Sequence, residues 1–209
     1  MENEEVLVFP ARVLSENKFT NFLTNFQAYT PVYRNLLSEI RSASVFMPRA
    51  EVEDNPEFLQ VIPYSYVYGW KPEVLVYRRT KKGNETRLHG KFSIGVGGHI
   101  NPIDNQGEQI FKMAALREVN EEFLFAGENL RQSDIMDFTL RGFIHRTDTP
   151  VNSVHFGLVY AFAAPSNVVV PVSRDCEVIG WLKAEELLQP ELFDNLEDWS
   201  KDILTFLQR

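Results

Sequence analysis

The chain has 209 residues, of which 44% are hydrophobic and 12% aromatic, enough apolar material for one large domain or a domain with an extension. Its net charge of −8 argues against duplex nucleic acid and anionic membranes as main partners, since both favour basic patches, but leaves room for a phosphorylated small molecule beside a divalent cation. Cys176 is the only cysteine, which excludes an intrachain disulfide and a cysteine-based zinc site; no basic, apolar leader and no membrane span are visible, so a cytoplasmic protein is expected.

Residues 1–60 carry their own pattern and are expected to form an N-terminal extension packed on the main domain, residues 61–209. Glu5 to Phe9 reads as a short strand stopped by Pro10. Ser15 is placed as the N-cap of a helix bearing Phe19, Phe22, Leu23 and Phe26 on one face, and Thr30-Pro31 opens a second helix. The exposed-looking aromatics of this part suggest a homodimer. Glu51 to Glu57, acidic and holding Asn55-Pro56, reads as a loop.

From Gln60 the period is that of strands. Val61-Ile62 and Tyr64 to Tyr68 form an extended run punctuated by Pro63. Tyr64, Tyr66, Tyr68 and Trp70 read as one packed sheet face rather than a base-stacking platform. Gly69 to Pro72 is a turn, Glu73 to Arg79 a strand, Lys81 to Glu85 a hairpin tip, and Phe92 to Val96 a strand leading into Gly97-Gly98. Arg78 and Arg79 read as a solvated strand edge. Asn105 with Glu108 has the spacing of a helix start, and the helix is expected to run to about Phe125, with Gly127 as its stop.

This helix carries the densest chemistry. At about 100° per residue, Glu121 lies about 60° to one side of Glu118 and Glu122 about 40° to the other. All three carboxylates leave one face, opposite the apolar stripe Met113, Leu116, Val119 and Phe123. Such a face is either simply solvated or holds a hard cation such as Mg²⁺ or Mn²⁺. Ala114 and Ala115, on the glutamate side, would leave space for an ion. Strands follow at Phe138–Ile144, Val154–Ala163 and Glu177–Leu182, with an apolar run at Val168–Val170, a helical turn at Lys183–Leu188 and a helix at Trp199–Leu207. The fold class is α+β, a mixed sheet with helices packed on it.

The run Arg117-Glu118-Val119-Asn120-Glu121-Glu122 resembles the Nudix signature, G, five residues, E, seven residues, R-E-U-x-E-E-x-G-U, with U aliphatic. Gly97-Gly98-His99-Ile100 is similar to the glycine pair that precedes the box. Three departures stand out in the box of residues 98–125: five extra residues between Gly98 and Arg117, Gln109 at the early glutamate position, and Leu124 at the usual glycine. On the helical wheel Glu108 is the better counterpart of that early glutamate.

The resemblance implies a Nudix-like α/β/α sandwich and hydrolysis of a diphosphate linked to a moiety X in a nucleoside diphosphate-X compound. It implies Mg²⁺ or Mn²⁺ as cofactor, a phosphorylated small-molecule partner, and Glu118, Glu121, Glu122, Glu108 and the Gly98 carbonyl as metal ligands. Glu118 is the first candidate to orient water, and Arg117 would bridge to Glu121. An extra carboxylate outside the box would come from Asp148, Asp175 or Glu177. The alternative is a Nudix-like ligand-binding or regulatory domain without turnover. An isopentenyl diphosphate isomerase is disfavoured, because Cys176 lies in no matching motif. His99 faces either a phosphate or a structural partner, His155 reads as a satisfied core histidine and Cys176 as an inert small residue.

Overall fold

The computed structural model describes residues 4–17, 19, 31–82, 86–105 and 107–207. The first part of the chain forms β1 (Glu5–Pro10), α1 (Arg12–Glu16), α2 (Pro31–Ala43), β2 (Val45–Pro48), α3 (Arg49–Val52), β3 (Phe58–Tyr68) and β4 (Glu73–Arg79). Next come β5 (Phe92–Ser93), β6 (Gly95–Gly97), α4 (Ile110–Glu122), β7 (Phe123–Phe125), β8 (Thr139–Ile144), α5 (Pro150–Ser153) and β9 (His155–Ala163). The chain closes with β10 (Val169–Pro171), β11 (Cys176–Lys183), α6 (Ala184–Leu187), α7 (Pro190–Phe193) and α8 (Asp198–Leu207). The class is α+β, as expected. No helix among the described residues is long and apolar enough to cross a membrane.

Two compact units are distinguished, and β3, α4, β8 and β9 contribute residues to both. The first comprises residues 1–63, 98–114 and 140–159. In it β1 pairs antiparallel with β2 on one side and with the start of β3 on the other, Val8 opposite both Val45 and Gln60. Val6, Val8 and Val52 are fully buried, with Met47 and Phe58 packed on them. β-branched residues on a half-buried strand give this region its core. Phe156 of β9 meets Phe9 edge-on at 5.3 Å.

The second unit comprises residues 64–97, 115–139 and 160–209. Here β4 pairs antiparallel with β11, Arg79 opposite Cys176 and Glu73 opposite Lys183, with a bulge between Val178 and Gly180. The end of β3 pairs with β6, Tyr66 opposite Gly95. A Cβ on Gly95 would overlap the Tyr64 ring, so only glycine fits. A separate ribbon pairs β7 with β10. The registers within these sheets are antiparallel, and a parallel bridge joins Phe92 and Leu196.

Several local expectations are corrected. Ser15 caps nothing: it lies inside α1, its hydroxyl donating to the Arg12 carbonyl at 2.9 Å. The helix expected around Phe22–Phe26 lies outside the described residues. Helix α3 takes Arg49–Val52, so the loop begins only at Glu53. Pro63 does not interrupt β3. Tyr64 and Tyr66 are buried, whereas Trp70 is 77% exposed and leaves the packed face. Helix α4 begins at Ile110 rather than near Asn105 and ends at Glu122, where the chain turns directly into β7. Gly127, beside Ala126, belongs to the turn after β7, both with positive φ, and stops no helix.

Candidate active site

The last turns of α4 are built as the wheel indicates on the core side. Val119 and Phe123 are fully buried and Leu116 nearly so. Ala114 and Ala115 are also fully buried, so they mark close packing rather than open room for an ion. Three non-local contacts fix the helix end. The Val172 N–H donates to the Glu122 carbonyl at 2.8 Å, Asn120 bonds both backbone groups of Leu130, and the Tyr77 ring meets Phe123 edge-on at 5.3 Å.

The glutamates divide between two arginines. Arg117 Nη1 stands 2.7 Å from Glu118 and 3.0 Å from Glu121, so the expected i,i+4 bridge is present and Glu118 shares it. Glu118 is only 13% exposed, Glu121 58%. Glu122 turns to Arg79 of β4, 3.7 Å away. Its Oε2 is buried and accepts no hydrogen bond, and Arg79 Nε is buried and donates none. Arg79 lies over the Tyr77 ring, 5.2 Å from its centroid. The Tyr77 hydroxyl and the carboxylates of Glu197 and Glu122 raise the guanidinium pKa above its ordinary value, against the opposing pull of burial. Arg79 is therefore a mostly buried cation, not a solvated strand edge.

Among the described residues no three His, Cys, Asp or Glu side chains converge closely enough to enclose a metal. The donor set still suits a hard cation. Mg²⁺ keeps most of its waters and needs only one or two carboxylates. A buried carboxylate oxygen without a partner costs free energy unless something binds it, and Glu122 Oε2 is such an atom. Glu118, Glu121 and Glu122 are the residues that fit.

Gly98 follows β6 and belongs to the first unit, as does Glu108. Glu108 sits in a 3₁₀ turn before α4, so the α-helical wheel does not apply to it, and its exposed carboxylate meets Arg41 at 3.3 Å. Asp148 binds Arg146 at 2.7 Å and the Asn152 side chain at 2.8 Å, which hold its carboxyl well below the usual range. Glu177 faces Arg78 across the β4–β11 pair. The carbonyl of Asp175 accepts the Thr80 N–H at 2.8 Å.

His155 is buried and bonded, as read from sequence: its Nδ1 donates to the Val151 carbonyl at 2.6 Å. In the neutral tautomer that this bond selects, its Nε2 accepts from His99 Nε2 at 3.4 Å, which gives His99 a structural partner. Burial lowers the His145 pKa, partly offset by its bond to the His155 carbonyl. Cys176 is buried beside the Glu122 carbonyl, its thiol pushed up to about 12 by burial and by that glutamate.

Sequence reasoning missed a buried carboxylate, Glu197, which accepts from the hydroxyls of Tyr64, Ser93 and Ser200. The available signal was a serine inside the apolar run Phe92-Ser93-Ile94 together with an acid just before the last helix.

No family-level sequence profile matches the chain. Protein YmaB of Bacillus subtilis is 31% identical over 176 residues, covering 83% of this chain and 82% of that protein. The crystal structure of Tm1382, assigned to the Nudix hydrolases, superposes with a TM-score of 0.73 over 98% of each chain at 26% identity. A bifunctional NMN adenylyltransferase/ADP-ribose pyrophosphatase of Francisella tularensis, solved with AMP and a Mn ion, shares the fold at a TM-score of 0.50 and 16% identity, over 86% of this chain and 49% of its own. The chain is thus of one sequence family with YmaB, and its superposition on Tm1382 over the whole length gives it the fold of the Nudix hydrolase superfamily.

Proposed function

We propose that the chain is a divalent-metal-dependent hydrolase that cleaves the diphosphate linkage of a nucleoside diphosphate-X type small molecule. The observation that carries this reading is the last turn of α4, where Glu118, Glu121 and Glu122 sit beside two arginines and a buried Glu122 oxygen has no partner.

Glu122 would hold Mg²⁺ or Mn²⁺, with Glu121 and Glu118 beside it on the same helix turn. When bound, the metal neutralises diphosphate charge and makes its bound water more acidic. The chain's own residues do the rest. Arg117 orients Glu118 and Glu121 and limits the repulsion between them. Glu118, largely shielded from solvent, is the carboxylate that would take the proton of the attacking water. Arg79 fixes Glu122 from the strand side.

The second reading is a domain that binds a phosphorylated ligand without turnover. Two observations favour it: Arg117 already pairs with both Glu118 and Glu121, and no three carboxylates converge among the described residues.

The test is product analysis on a panel of nucleoside diphosphate compounds, capped nucleotides and diphosphoinositols with Mg²⁺ or Mn²⁺. Turnover is expected from at least one compound, with a loss on the order of 10² or more in Glu122→Gln, the size seen when one charge-stabilising group is removed. Ligand-induced thermal stabilisation with no product across the panel would support the second reading instead.

A further inference from the structure

A run of buried polar groups in the second unit connects the end of α4 with the start of α8. Glu197, 8% exposed, accepts from the Tyr64, Ser93 and Ser200 hydroxyls. Ser93 Oγ also lies 2.8 Å from the Gly95 carbonyl, which accepts from Tyr77 OH at 2.7 Å. Arg79 lies over the Tyr77 ring and reaches Glu122. Along this run the guanidinium stands beside Glu122 at one end, and the Tyr77 phenol, the Gly95 carbonyl and Ser93 stand between it and Glu197 at the other, whose charge still acts on it.

A desolvated guanidinium must keep a counter-charge close by, because an uncompensated buried ion is costly. The Arg79–Glu122 pair is loose. It is 3.7 Å long, and each partner keeps an unbonded buried atom. A Glu122 carboxylate that turned to a cation would leave Arg79 without its nearest neutralising group. Glu197 is built to stay where it is, since three hydroxyls converge on its Oε1.

We propose that Glu197 is a positioning residue, the standing counter-charge of Arg79, which frees the Glu122 carboxylate to serve a divalent cation. This rests on the metal-binding role proposed above for Glu122. The charge at Glu197 acts through Arg79 and never touches the ligand.

The test is calorimetric titration of the full chain with Mn²⁺ alone, for the parent and for Glu122→Gln, Glu197→Gln and Ser200→Ala. Glu197→Gln keeps an amide oxygen for the hydroxyls but removes the charge, so Arg79 draws on Glu122 alone. Mn²⁺ binding should weaken by about threefold to tenfold, as expected for losing one charge at the edge of a partly desolvated site. Ser200→Ala drops a hydrogen bond but keeps the charge, and should bind Mn²⁺ within about twofold of the parent while melting earlier.

A second measurement is a double-mutant cycle on thermal stability. Either carboxylate alone should compensate Arg79, so Glu122→Gln with Glu197→Gln should cost more than the two single changes added together. Unchanged Mn²⁺ affinity in Glu197→Gln, an additive cycle, or a Glu197→Gln protein that does not fold overturns the proposal. Full Mn²⁺ affinity in Glu122→Gln overturns instead the metal role on which it rests.

Discussion

The molecule holds its arginine–carboxylate pairs in two settings. Arg41–Glu108 and Arg146–Asp148 in the first unit and Arg78–Glu177 in the second lie open to water, with Glu108 84%, Asp148 47% and Glu177 53% exposed. At the end of α4, Glu118 and Glu122 are 13% and 18% exposed, and Glu122 retains an oxygen with no hydrogen-bond partner. Exposed pairs of this kind contribute between nothing and about 1 kcal/mol, because water and salt screen them. Desolvated ones must be neutralised and hydrogen-bonded to be tolerated at all. The comparison teaches that acids of equal standing in a sequence are sorted by solvent. The acid left desolvated and underbonded is the one that would gain most from a further partner.

The sharpest way to break this contrast is Arg79→Met. It strands a mostly buried Glu122, and we expect a loss of about 3 kcal/mol, the low end for an unpaired buried charge. Urea unfolding measures it, and a loss below about 1 kcal/mol would make Arg79 an ordinary edge cation. Gly95→Ala comes next, because the added Cβ overlaps Tyr64 beneath the Glu197 cluster. Overpacking of this sort costs about 2 kcal/mol, which at this chain length lowers the melting temperature by several degrees. A melting temperature equal to the parent's would show that the sheet gives way there.

Asp148→Asn should cost no more than about 1 kcal/mol at neutral pH. Its sign with pH is fixed. A carboxyl held below its ordinary value of 3.8 contributes stability that is present above that value. The contribution drains away as the pH falls through the lower, folded value. The variant should therefore show a shallower acid-denaturation curve than the parent between about pH 4 and 2. The smallest effect belongs to Cys176. With its thiol near 12, on the order of one molecule in 10⁴ carries thiolate at pH 8. A chromogenic disulfide reagent should label it slowly in the native protein and rapidly in denaturant. Equal rates would mean that the thiol beside the Glu122 carbonyl is open to solvent.

Much of this was legible in the sequence because it is local. Strand β4 matches the β segment Glu73 to Arg79 residue for residue, α2 starts at Pro31, and the wheel of α4 separated Val119 and Phe123 from the glutamates. The Arg117–Glu121 bridge follows from i,i+4 spacing alone. What failed depends on distant partners. The end of α4 was misplaced because Phe123-Leu124-Phe125 pairs with Val169–Pro171, and that pairing overrides helix propensity. Glu108 was put on a helical face although its turn is 3₁₀. Glu197 was missed because two of its three partners, Tyr64 and Ser93, lie 133 and 104 residues away in sequence. Arg79 read as an edge cation because nothing in its neighbours along the chain reveals the Glu122 it faces.

The abrupt passage from α4 into β7 has one further consequence. The ribbon of β7 and β10, with Val172 clamped on the Glu122 carbonyl, works as an index pin for the helix. Strand pairing advances in whole residues, and a slip of one reverses which face each side chain takes. The point at which α4 gives way to β7 is thus fixed to a single residue by a three-residue ladder. A one-residue deletion in β10 would reverse the faces of its side chains and pull Val172 off the Glu122 carbonyl, so the helix end would lose the contact that holds it.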